Sequence, residues 1–205
     1  MPPHGLYAIT PQMHPDSRGL LRAVCAALEG GAAVIQFRDK SADEAWRLDT
    51  ATHIAGLCRE AGVPLIVNDD AELARASGAA GVHIGRDDGE VRDVRGRLGP
   101  DLLIGVSCYD DLERAAEAVR AGADYLAFGS MYSSGSKPSA VRCGREVLGA
   151  AGALGKPLVA IGGITPENGA PVIAAGADFL AVIDGVFGAA DIRGVARRFA
   201  GLWSP

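Results

Sequence analysis

Cationic, amide and carboxylate side chains recur at the ends of short apolar runs along this chain. Gln36, Arg38 and Lys40 come first, followed by Asn68, Asp69 and Asp70, then Asp87 and Asp88. Ser134, Ser136 and Lys137 follow, and then the glycine pair Gly162 and Gly163. Together these groups suit a phosphorylated substrate with a divalent metal. Arg presents a planar fork and Lys a point charge to phosphate oxygens. Carboxylates from adjacent strand ends could share one Mg²⁺, which binds through one or two carboxylates and keeps several waters.

Each cluster also has a plainer reading. Gln36, Arg38 and Lys40 lie two residues apart, so a strand would set all three on one side, as an exposed strand end would also do. Only three lysines exist, Lys40, Lys137 and Lys156, and two of them fall in these clusters. Asp70 has the position of a helix cap, and the other acids would also mark turns. His83 sits between Val82 and Ile84 and serves equally as a hydrogen-bonded structural residue or a ligand. The stretch SMYSSGSKP at Ser130–Pro138 offers hydroxyls and a lysine to phosphate but lacks P-loop spacing, and also reads as a plain loop. No His/Cys set has zinc spacing.

The elements that would position these residues alternate regularly. Strands are expected at Gly5–Pro11, Ala32–Phe37, Pro64–Val67, Gly81–Ile84, Leu102–Val106, Tyr125–Phe128, Pro157–Ile161 and Phe179–Ile183. Helices are expected at Ser17–Leu28, Ala42–Ala61, Ala71–Ser77, Gly89–Leu98, Asp110–Ala121, Arg145–Ala153, Pro166–Ala175 and Ile192–Leu202. The strands are almost wholly apolar, as in a parallel sheet covered on both faces. Ser41 with Glu44 three residues later reads as a capping box for the second helix. Gly62, Gly122 and Gly176, each after an alanine, suit left-handed helix ends. Eight strand–helix units favour a (β/α)8 TIM barrel in the α/β class, a single domain over 1–205, with its chemistry at the C-terminal rim. In such a barrel Gly162, Gly163 and Gly185 would follow strands seven and eight, where phosphate is commonly held.

The formal net charge is -5, with both signs interspersed and no basic block. Nucleic acid is therefore not an expected partner. No apolar run reaches the length of a membrane span, and no N-terminal export signal is visible, so the expectation is a cytoplasmic protein without membrane partners. The four cysteines are scattered, without a CxxC pair, and read as free thiols.

The ordered set LYAIT, QFRDK, VNDD, GVHIG with a following DD, IGVSCY, GADYLAFGSMYSSGSKP, VAIGGIT and GADFLAVI resembles the thiamine-phosphate synthase family over nearly the whole chain. The resemblance implies a transferase joining 4-amino-2-methyl-5-hydroxymethylpyrimidine diphosphate to thiazole phosphate, giving thiamine monophosphate and pyrophosphate, in a monomer or homodimer. It implies that Gln36 contacts the pyrimidine, and that Arg38, Lys40, Asn68 and Lys137 hold the diphosphate. Asp69 and Asp88 would bind Mg²⁺, and Ser107 would lie near the leaving group and the pyrimidine. Arg38, Lys40, Ser107 and Lys137 would be the catalytic set. Ser134 and Ser136, where the family usually has threonines, would line the site. Gly163, with the backbone around Asp184 and Gly185, would take the thiazole phosphate. Arg86 stands where the family usually has glutamine, and Asp184 where a serine is common. A related thiazole tautomerase shares the fold and phosphate cup but needs no diphosphate clamp, so Gln36, Arg38, Lys40, Asn68 and Asp69 argue for the synthase. A phosphate-ligand binding protein without activity is a second alternative.

Overall fold

The computed structural model describes residues 1–11, 16–41, 43–133 and 142–203. Eight parallel strands close into a barrel in sequence order. They are β1 (Gly5–Ile9), β2 (Ala32–Phe37), β3 (Leu65–Asn68), β4 (Gly81–Ile84), β5 (Leu103–Tyr109), β6 (Tyr125–Phe128), β7 (Leu158–Ile161) and β8 (Phe179–Val182). Between and after them run α1 (Ser17–Glu29), α2 (Glu44–Ala61), α3 (Ala71–Ser77), α4 (Val91–Leu98), α5 (Leu112–Ala121), α6 (Glu146–Ala151), α7 (Ala170–Ala174), α8 (Asp184–Phe187) and α9 (Ile192–Ala200). This is the (β/α)8 architecture expected from the alternation.

Strand parity sorts the core into two parts. Leu6, Ala8, Ile35 and Phe37 pack outward against the helices. Tyr7, Val34, Ile66, Tyr125 and Phe179 form a separate cluster inside the barrel. Because side chains alternate across a strand, Gln36 shares the inner face with Val34, and Ser107 shares it with Gly105. Gly105 pairs with Tyr125 across the β5–β6 ladder. A Cβ there would lie 1.9 Å from the Tyr125 ring, so only glycine admits that side chain.

Helix starts depend heavily on aspartate. Asp43, Asp70, Asp111 and Asp191 each accept a backbone N–H in the first turn of the helix that follows. The Ser41 capping box is not formed. Asp43 is the N-cap of α2, while Ser41 donates its own N–H to Asp39. A carboxylate at the cap satisfies the same orphan donor and also faces the positive end of the helix, and it leaves Glu44 in the first turn. Gly62, Gly122 and Gly176 all have positive φ, at 68°, 103° and 112°. The four-residue α8 was not expected from the sequence. It follows β8 directly and places Asp184 at its start.

The N-terminal rim carries a repeated clasp. The Asp124 carboxylate accepts the Ile104 N–H at 2.7 Å, while the Asp124 N–H donates to the Ile104 carbonyl at 2.8 Å. Asp178 does the same to Leu158, at 2.8 Å and 2.9 Å. Each aspartate ends a Gly-Ala-Asp entry into β6 or β8 and locks it to the first residues of the preceding strand.

Candidate active site at the C-terminal rim

The expected polar residues emerge at one end of the barrel. Gln36, near the end of β2, is 3% exposed and donates from Nε2 to the Tyr7 hydroxyl at 2.8 Å. The strand stops at Phe37, so Arg38 and Lys40 belong to the following loop and do not continue the alternation. Thr10 fixes that exit. Its N–H donates to the Gln36 carbonyl at 2.9 Å, and its hydroxyl accepts from the Arg38 N–H at 2.9 Å. Thr10 is fully buried, and nothing in its sequence context marked it as a support.

Asp69 and Asp88 come together across the β3 and β4 exits. Asp69 holds a left-handed backbone, φ 64°, and its N–H donates to the His83 carbonyl at 2.7 Å. Asp88 turns back to accept the Gly85 N–H at 2.7 Å. Partial burial and then the neighbouring Asp88 carboxylate raise the Asp69 carboxyl above its ordinary range; Lys40, 3.3 Å away, opposes the rise. Two carboxylates drawn together beside one ammonium are a donor set short of positive charge, which fits a hard divalent cation. Among the described residues no group of three or more His, Cys, Asp or Glu could hold a metal by itself. Lys40, Asn68, Asp69 and Asp88 line a recess of about 410 Å³ on this rim.

Asp70 is a cap, one of the readings its position allowed. Its Oδ1 accepts from the Leu73 N–H at 2.9 Å, and its Oδ2 accepts from Arg47 at 2.7 Å. Arg86 places its guanidinium 5.0 Å from the centre of the Tyr109 ring, so an aromatic face takes up part of its charge.

Ser107, on β5, shares a 2.9 Å hydrogen bond with His83 Nε2. The other ring nitrogen of His83 lies 3.1 Å from the Tyr125 hydroxyl, which in turn lies 2.8 Å from the Tyr7 hydroxyl. Burial lowers the His83 pKa to about 4 and keeps the ring neutral near pH 7. Burial also raises both tyrosine hydroxyls above their ordinary value, so they stay protonated. Arg114 ties the two strand exits together, donating to the Ser107 carbonyl at 2.8 Å and the Gly85 carbonyl at 3.1 Å. Tyr7, Tyr125 and Arg114 escaped the sequence reading. The one available signal was a hydroxylated aromatic on the inner parity of an otherwise apolar strand.

Gly162 and Gly163 follow β7 with φ 106° and 62°. A Cβ on Gly163 would lie 2.3 Å from the Ser133 carbonyl, and one on Gly162 would lie 2.1 Å from the Ser130 hydroxyl. The pair therefore also lets the loop after β6 lie against the end of β7. Asn168 holds the next turn, donating to the Gly163 carbonyl at 3.0 Å. Asp184 and Gly185 open α8 on the same rim and are exposed. Ser134, Ser136 and Lys137 lie outside the described residues.

Comparison with known proteins bears on this rim. The thiamine monophosphate synthase family model matches residues 6–186. The chain belongs to that family. A thiamine-phosphate synthase of Thiobacillus denitrificans is 51% identical over 203 residues, covering 98% of this chain and 96% of the relative. One from Chromobacterium violaceum is 49% identical and covers 98% of each chain. The solved structure of thiamine phosphate pyrophosphorylase from Pyrococcus furiosus superposes with a TM-score of 0.87 at 35% identity, over 97% of this chain and 94% of that one. A tryptophan synthase chain of Mycobacterium tuberculosis matches at 17% identity with a TM-score of 0.72, a likeness of fold alone. The motif resemblance read from the sequence therefore holds over the length of the family domain.

Proposed function

We propose that this chain is a transferase that condenses 4-amino-2-methyl-5-hydroxymethylpyrimidine diphosphate with thiazole phosphate to give thiamine monophosphate and pyrophosphate. Family membership supports the reaction, and the Asp69–Asp88 pair beside Lys40 is the observation that carries it to this rim. Asp69 and Asp88 would hold Mg²⁺, which when bound supplies positive charge to the departing diphosphate. Arg38, Lys40, Asn68 and Lys137 would hold the same diphosphate and neutralise the charge that develops as the carbon–oxygen bond breaks. Gln36 would contact the pyrimidine, and Ser107 would donate to the leaving group. Ser134 and Ser136 would line the site between the two substrates. Gly163 and the backbone at Asp184 and Gly185 would hold the thiazole phosphate, bringing the ring nitrogen in line with the pyrimidine methylene. The aminopyrimidine stabilises its own methylene cation, so no protein nucleophile is required.

Among the described residues no helix is long and apolar enough to cross a membrane. The proposal takes the chain as one catalytic domain acting in the cytoplasm on small phosphorylated substrates, as a monomer or homodimer, without nucleic acid. The test is product formation, followed by liquid chromatography with mass detection, from both substrates with and without Mg²⁺. Thiamine monophosphate appearing only with the metal is the expected result. No product, with both ligands still bound, would refute the proposal in favour of a binding protein. Failure to bind the pyrimidine diphosphate would favour a tautomerase.

A further inference from the structure

A continuous line of hydrogen bonds crosses the barrel interior from β2 to β5. Gln36 Nε2 lies 2.8 Å from the Tyr7 hydroxyl, and Tyr7 lies 2.8 Å from the Tyr125 hydroxyl. Tyr125 is 3.1 Å from His83 Nδ1, and His83 Nε2 is 2.9 Å from the Ser107 hydroxyl. Tyr7 and Tyr125 are 1% and 0% exposed, so no bulk water can satisfy a mismatched proton there. Each hydroxyl has one proton, and a neutral imidazole has one N–H. Only two assignments use every proton along the line. In the first, the Gln36 amide donates to Tyr7, Tyr7 to Tyr125, Tyr125 to His83 Nδ1, and His83 Nε2–H to Ser107. That leaves the Gln36 carbonyl as an acceptor at one end and the Ser107 O–H as a donor at the other. In the second, the amide is turned over and every bond reverses. Gln36 then offers N–H groups, and Ser107 offers only lone pairs.

We propose that this line is a specificity device linking the two ends of the pyrimidine diphosphate. It rests on the condensation reading above. A 4-amino pyrimidine donates to the Gln36 carbonyl and fixes the first polarity, which leaves the Ser107 proton for a diphosphate oxygen. A 4-oxo pyrimidine requires an N–H from Gln36, imposes the second polarity, and turns the Ser107 lone pairs toward an anion. The wrong base is thus disfavoured twice, once at the ring and once at the phosphate. Tyr7, Tyr125 and His83 are positioning residues that carry polarity between two groups in contact with substrate.

The test is calorimetric affinity for the 4-amino diphosphate and its 4-oxo analogue, with Mg²⁺ and without thiazole phosphate, in the unsubstituted protein, Ser107→Ala and Tyr125→Phe. Thermal melting controls for folding. Ser107 stands four hydrogen bonds along the line from Gln36, so a role confined to the diphosphate would scale both affinities alike. The expected result is a drop of about tenfold in the amino-over-oxo ratio in both variants, the worth of one matched hydrogen bond. An unchanged ratio in folded Ser107→Ala and Tyr125→Phe overturns the linkage and leaves the condensation reading standing. No binding of the 4-amino diphosphate to the unsubstituted protein overturns that reading, and the device with it.

Discussion

Replacing Gly105 by alanine is the sharpest test of how the barrel interior is built. The added methyl carbon would sit 1.9 Å from Tyr125 Cζ and 2.3 Å from its hydroxyl oxygen. Carbon atoms in contact prefer about 3.5–4 Å, so the ring must shift by about 2 Å. Tyr125 is fully buried and has nowhere to go without leaving both Tyr7 and His83. Overpacking of this kind costs about 1–3 kcal/mol. Loss of two buried hydrogen bonds adds about 1 kcal/mol each. Gly105→Ala should therefore lose about 3–5 kcal/mol in urea unfolding followed by circular dichroism, a large share of a typical domain's stability. In a Tyr125→Leu background, where the ring is gone, the same alanine should cost under about 1 kcal/mol. A loss below about 1 kcal/mol in the natural background, or strict additivity of the two substitutions, would refute the account of Gly105 as the space for Tyr125.

Acid should weaken the fold through His83. The unfolded chain takes up a proton near pH 6.5 and the folded one only near about 4, so falling pH across that window favours unfolding. The loss should approach about 3 kcal/mol by pH 4 and be largely absent in a His83→Asn variant, compared by urea titration at pH 7, 5.5 and 4.5. Asp70→Ala removes both the cap of α3 and the partner of Arg47, whose Nε is already buried without a hydrogen bond. It should cost about 2–3 kcal/mol by the same assay, whereas Asp70→Asn, which keeps a capping oxygen, should cost less. Asp184→Ser should lower the KM for thiazole phosphate by about fivefold by removing a carboxylate near an arriving phosphate. Steady-state kinetics with an unchanged KM would show that the carboxylate points away.

The barrel was legible because its eight strands are apolar and end in polar clusters, and because eight strand–helix units favour closure over a five- or six-strand doubly wound sheet. Element ends were less so. Ser41 and Asp43 both precede Glu44, and the choice of cap rests on how the loop from Lys40 approaches α2, which local sequence does not set. α8 is four residues long, too short for any period to appear. The charged residues of the rim were readable by type. Their supports were not, because Thr10 acts on Arg38 and Tyr7 acts on Tyr125 across 28 and 118 residues. His83, readable as ligand or structural residue, was settled only by finding hydroxyls on both sides of its ring. Cys58 and Cys108 are free thiols that burial pushes up to about 12, which leaves them little thiolate for chemistry.

The paired clasps of Asp124 and Asp178 separate two tasks that could otherwise compete. Each spans 20 residues and sets strand alignment at the rim away from the substrate. With alignment held there, the opposite rim need not spend its own side chains on keeping the strands in step. A departure such as Asp184, after the clasped β8, can then change the charge met by a phosphate without sliding that strand past β7. At β5–β6 and β7–β8 one mouth holds the strands in step, and the other mouth is left to vary its chemistry.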